Sequence, residues 1–133
     1  MSGIRFPEYL QRIQNTLNEV VAGGQALTVQ LQADQRSTTQ GFLAGMLAFM
    51  DGSELHFREY INLAAPEPRQ MYVYHYQDAA TQMSFRYDNA AHRPSLSARE
   101  HKHTPDNIIV MLPPTLEQVI DEILKDQDSS RGR

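Results

Sequence analysis

All five histidines of this 133-residue chain, and five of its six tyrosines, fall between His56 and His103. The densest stretches are Tyr72-Val73-Tyr74-His75-Tyr76-Gln77-Asp78, Phe85-Arg86-Tyr87-Asp88-Asn89-Ala90-Ala91-His92-Arg93-Pro94 and His101-Lys102-His103. Histidine moves protons near neutral pH, while arginine and lysine hold anions. One chemistry open to such a set is metal-free cleavage of RNA. It needs a base for the 2′-hydroxyl proton, an acid for the leaving oxygen and cations for the charge that develops on phosphorus. On this reading His92, His101 and His103 transfer protons, and Arg58, Arg86 and Lys102 hold phosphate. Tyr74 and Tyr76 touch the substrate, and no cofactor is required.

A second chemistry is a divalent-metal hydrolase. His101 and His103 share a face if their stretch is extended, and Asp88 with His92 would complete a ligand set. Each residue also has a plainer reading. Mid-strand His56 and His75 suit packed or surface positions. Tyr72, Tyr74 and Tyr76 suit a ridge packed against a neighbouring element. Asp88-Asn89 is a natural turn dipeptide. No phosphate loop, nucleophile elbow or Glu-x-x-His helix motif is present.

The bulk properties narrow the class. A chain of this length supports one domain, and 41% hydrophobic with 21% charged residues is ordinary for a globular one. A net charge of −4 argues against a coat for nucleic acid in general. The charge is uneven: residues 56–103 carry six basic and five acidic side chains, whereas 104–133 carry three and six. A local anion site is compatible with that balance. There is no cysteine, no apolar run long enough to span a bilayer and no signal-peptide core, so a cytoplasmic protein with no membrane association is expected.

Apolar positions at helical spacing from Phe6 to Val21, stopped by Gly23-Gly24, predict an amphipathic helix over 6–22. Leu27, Val29 and Leu31 alternate as in a half-buried strand. Phe42 to Met50, apolar almost throughout, reads as a central strand covered on both faces. Asp51-Gly52 signals a type I′ hairpin, and Glu54 to Leu63 returns with His56, Arg58 and Tyr60 on one face, while Glu59 interrupts the apolar side. Met71 to Gln77 and Met83 to Asp88 form another hairpin, with Ser84, Arg86 and Asp88 sharing a face. An irregular loop is expected from Asn89 to about Asn107, then a short strand from Ile108. Thr115 and Gln118 make a capping box ahead of a helix with Leu116, Val119, Ile120, Ile123 and Leu124 on its apolar face. The expectation is therefore α+β: an antiparallel meander of five to six strands with an N-terminal and a C-terminal helix on one face, in a single domain over 1–125. Residues 126–133 are expected to form a disordered tail.

Tyr74-His75-Tyr76-Gln77-Asp78, Phe85-Arg86-Tyr87-Asp88-Asn89-Ala90, His92-x-Pro94, His101-Lys102-His103 and the final Pro-Pro-Thr-Leu-Glu-Gln-Val resemble the TumE family. So does the block from Asp51-Gly52-Ser53-Glu54-Leu55 to Phe57-Arg58-Glu59-Tyr60. The resemblance covers about Gly41 to Ile123. It implies the toxin of a bacterial or archaeal toxin–antitoxin pair, an endoribonuclease with an RNA substrate, and a cognate helix-turn-helix antitoxin encoded beside it. It brings no defined catalytic residues. Three positions depart from the family pattern: His92-Arg93 stands for a His-His pair, Glu100 for a histidine in His-His-Lys-His, and Ala91 for a proline. If either missing histidine is the acid or the base, turnover is reduced, while Arg93 still suits phosphate. The alternative is a non-catalytic module that binds a protein partner. The sequence leaves a homo-oligomer open.

Overall fold

The computed structural model describes residues 4–89 and 100–131. Helix α1 (Phe6–Ala22) leads into strands β1 (Ala26–Gln35), β2 (Gln40–Phe49), β3 (Glu54–Asn62), β4 (Arg69–Gln77), β5 (Met83–Asp88), β6 (His101–His103) and β7 (Ile108–Val110), then α2 (Leu116–Arg131). The strands form one antiparallel sheet in chain order. It has seven strands where five to six were expected. The added strand is β6, which lies inside the expected loop; its His-Lys-His carries no apolar alternation that could mark it.

Both helices cover the same face. Ile13, Leu17 and Val20 of α1 and Leu116, Val119, Ile120 and Ile123 of α2 pack with Leu43, Leu47, Leu55, Phe57 and the tyrosines of β4. An aromatic ladder crosses this face, with centroids 6.0 Å apart for Phe49–Tyr76, 5.3 Å for Tyr76–Phe85 and 5.4 Å for Phe85–Tyr87. The second cover expected over β2 is not a helix layer. Phe42, Ala44, Met46 and Ala48 point to the opposite face and are half-buried. The apolar run arises because one side meets the core and the other alternates large Phe42 and Met46 with small Ala44 and Ala48.

Local chemistry explains the joints. Thr115 and Gln118 form the expected reciprocal cap: the Thr115 N–H donates to Gln118 Oε1 at 2.9 Å, and the Gln118 N–H to Thr115 Oγ1 at 3.2 Å. The N-terminus of α1 is set by Phe6, whose ring lies where a side chain at Gly41 would sit, 2.3 Å from an ideal Cβ. The Asp51-Gly52 bend differs from type I′. Only Gly52 is left-handed (φ 89°), so a turn closed by Gly52 N–H to Phe49 O (3.1 Å) precedes a left-handed glycine. The second hairpin has the same form with Thr81 (φ 65°) in the glycine position. A register shift between Ala26 and Thr28 turns Leu27 outward, against the alternation read for that strand. Helix α2 also runs to Arg131, through residues expected to be a tail. Gln127 Nε2 lies 3.4 Å from both Asp51 Oδ2 and Ser53 Oγ, which ties that polar turn to the β2–β3 hairpin.

The carboxyl of Glu59, the interruption on the apolar side of β3, is 1% exposed. It accepts hydrogen bonds from the hydroxyls of Tyr9 on α1 and Tyr74 on β4. Arg69 donates to Tyr74 Oη at 2.8 Å and to the carbonyl of Pro114 before α2. Burial raises the Glu59 carboxyl above its ordinary range, although the two hydroxyls and Arg69 pull the other way.

Two substitutions test this frame by chemical denaturation. Glu59→Ala strands two buried hydroxyls and should cost about 3 kcal/mol. Thr81→Gly relieves a β-branched residue at positive φ and should stabilise by about 0.5–1 kcal/mol.

Candidate functional site on the open sheet face

The face turned away from the helices carries the polar rows. The register pairs His56 with His75, His75 with Arg86, and Arg86 with His103, so four side chains from β3, β4, β5 and β6 form one cross-strand row. The adjacent row runs Ala44, Arg58, Val73, Asp88 and His101. The two rows read separately on β3 and β5 therefore share a face. Between them lies a depression of about 380 Å³ lined by Ala44, His56, Arg58, Val73, His75 and Arg86. It exists because β2 contributes only small side chains there.

Asp88 organises one end. Its side chain is 4% exposed, and Arg86 Nε donates to Oδ2 at 3.0 Å. His103 Nε2 lies 3.2 Å from the same oxygen, and His101 Nδ1 lies 3.9 Å from Oδ1. A buried carboxylate so placed fixes the orientation of the guanidinium and faces the His103 ring. His101 is almost fully buried, whereas His103 is half-buried. At the other end His56 Nε2 meets Glu54 Oε1 at 2.9 Å. Arg58 is exposed, and among the described residues no carboxylate pairs with it. His75 is held below the ordinary histidine pKa by burial first, then by the nearby charges of Arg86 and His56, against a hydrogen bond with Gln77.

Arg58, Arg86, His101 and His103 are thus brought together, and three other residues of the expected site are not. Tyr74 and Tyr76 lie in the core under the helices, at 0% and 8% exposure, which removes them as substrate contacts. Their hydroxyls are committed to Glu59 and to Ser53 Oγ (2.9 Å). Lys102 alternates with its histidine neighbours onto the helix side, where Nζ donates to Glu122 Oε2 at 2.9 Å. Burial lowers the Lys102 pKa, but its bonds to Glu122 and Tyr87 outweigh that and raise it overall. It is a strut between β6 and α2 and not an anion ligand. His92 lies outside the described residues. His56 and His75 join this row without a sequence signal of their own, since a mid-strand histidine is ambiguous until its cross-strand neighbours are known. Among the described residues no group of three or more His, Asp or Glu side chains is arranged to hold a metal ion.

A family model described as Toxin TumE matches residues 10–131. The chain belongs to the TumE toxin family. No curated protein and no solved structure matches it. The TumE match spans both helices' core faces and all seven strands, so it takes in the open face and the depression. Membership of a TumE toxin family implies an antitoxin partner. No helix among the described residues is long and apolar enough to cross a membrane.

The electrostatics of the depression are open to titration. His75 should titrate below the ordinary histidine value in NMR spectra, and Arg86→Gln should move it upward. Because the folded state holds this ring neutral, its contribution to stability is full above the unfolded pKa near 6.5. It declines as pH falls below that value, since the unfolded chain then binds the extra proton.

Proposed function

We propose that this toxin cleaves single-stranded RNA on the open sheet face by general acid–base catalysis. The observation that carries the reading is the row His75–Arg86–His103 on three successive strands. Adjacent strands lie about 4.8 Å apart, so a phosphate seated on Arg86 has one imidazole on each side. His75, kept neutral by burial and by Arg86, takes the 2′-hydroxyl proton. The freed oxygen attacks phosphorus, and the 5′-oxygen leaves with a proton from His103, whose ring Asp88 faces. The products are a 2′,3′-cyclic phosphate and a 5′-hydroxyl. Arg86 carries the charge of the scissile phosphate and Arg58 stands on the same face for the neighbouring one, each with planar guanidinium donors suited to it. His101 is too buried to reach substrate and supports Asp88. The reading places the toxin in the cytoplasm, paired with a helix-turn-helix antitoxin. Glu100 and Arg93 stand at the positions of family histidines, and the proton transfers proposed here use neither position.

Replacing one proton carrier should lower the rate by about 10²–10⁴. Expression of His75→Ala or His103→Ala should therefore restore host growth, and extracted RNA should lose its cyclic-phosphate ends. Lys102→Ala should remain toxic while unfolding at lower temperature. Undiminished toxicity in both histidine variants, each folded, would remove the acid–base assignment.

A second reading, a module that only binds a protein partner, has its own observation. Ile108 and Ile109 on edge strand β7, and Met111 and Leu112 just after it, are exposed, Leu112 at 90%. Such a strip on a sheet edge suits strand addition by another chain. Purified protein that leaves total RNA intact yet retains the product of the neighbouring gene would favour it.

A further inference from the structure

The open face continues past the depression into a third row that the cleavage chemistry does not use. Phe42 on β2 pairs with Tyr60 on β3, and Tyr60 pairs with Met71 on β4. All three point away from the helices and are half-buried. Neither Phe42 nor Tyr60 belongs to the hydrophobic core beneath the helices. The Tyr60 hydroxyl donates to Gln40 Oε1 at 3.2 Å, which holds its ring in place. Arg58 follows two residues before Tyr60 on the same strand and the same face, one row away at about 7 Å. Asp34, which pairs with Phe42 across β1 and β2, has its charge met by Arg36 at 2.9 Å.

We propose that Phe42 and Tyr60, with Met71 beside them, form a platform on which an unpaired RNA base stacks while Arg58 takes that nucleotide's phosphate. The proposal rests on the RNA reading above and deepens it, naming where the strand is held next to the His75–Arg86–His103 row. Aromatic faces accept any base, and every base has a π-face to offer once it is out of a duplex. A base on Tyr60 leaves its phosphate beside Arg58, while Arg86 lies one row along and two strands across, about 12 Å away by strand spacing. An apolar shelf next to a guanidinium that meets no carboxylate among the described residues fits a nucleotide better than it fits an apolar peptide, whose side chains offer Arg58 no charge. The ridge Tyr72–Tyr74–Tyr76 cannot play this part because it lies in the core. Among the described residues, the phenylalanine and tyrosine rings on the open face are those of Phe42 and Tyr60.

The test is binding of a labelled single-stranded 2′-O-methyl oligonucleotide, whose blocked hydroxyl prevents cleavage, followed by fluorescence anisotropy on the full chain. The unmodified protein should bind it and should bind the corresponding duplex at least tenfold more weakly. Phe42→Ala with Tyr60→Ala should weaken binding tenfold or more, with the fold checked by thermal unfolding. Tyr60→Phe should keep the affinity, since stacking needs the ring and not the hydroxyl. Arg58→Ala should reduce the salt dependence by about one phosphate contact. An unchanged affinity in the folded double-alanine variant, or equal affinity for duplex, overturns the platform while leaving the cleavage reading standing. An unmodified protein that binds no oligonucleotide at all overturns both.

Discussion

The carboxylate of Glu59 is the point through which the parts of this fold are joined. A charge on the apolar side of a central strand is expensive to bury unless hydrogen bonds replace the water it loses. Here the replacements come from separate elements: Tyr9 from α1 and Tyr74 from β4, with Arg69 closing the set and reaching the carbonyl of Pro114 ahead of α2. The guanidinium also lies 4.8 Å from the centre of the Tyr72 ring. Helix, sheet and the approach to the second helix are thereby fixed to one carboxyl. Apolar contacts alone are tolerant of small shifts, whereas a buried polar network has few satisfying geometries.

A second tie works at the far edge of the sheet. Glu122 on α2 receives both Tyr87 Oη (2.6 Å) and Lys102 Nζ (2.9 Å). The Lys102 ammonium sits 5.2 Å from the Phe85 ring centre and 5.1 Å from that of Tyr87. β6 is only three residues long, too short to be held by its ladder bonds alone. The lysine fastens it from below, and that places His101 and His103 against Asp88 above. Residues facing the core thus position residues facing out, with one strand carrying both.

Much of the fold was legible because its signals are local. The helical spacing from Phe6 to Val21, the reciprocal Thr115–Gln118 cap and the alternation along β3 each follow from contacts within a few residues. Legibility ended where a signal depended on distant partners. β6 looked like loop because histidine and lysine do not announce which face is buried. Tyr74 and Tyr76 looked equally suited to core and to substrate, since tyrosine serves both, and only the position of the helices separates them. His75 appeared ordinary on its own strand. It joins the site through neighbours that lie on β3 and β5.

The sequence by itself determined the class of the molecule: an antiparallel α+β domain of the TumE toxin family, with all its histidines and most of its tyrosines crowded into about one third of the chain. It also determined parity, since strand alternation puts His56 with Arg58 and Arg86 with Asp88 whatever the partners. Only the tertiary structure decided how those pairs align. Register between strands is set by core packing and turn geometry over the whole sheet, and a slip of one residue would reverse every face. That alignment set His56, His75, His103, Arg58 and Arg86 in rows on the open side, and it sent the tyrosine ridge and Lys102 beneath the helices.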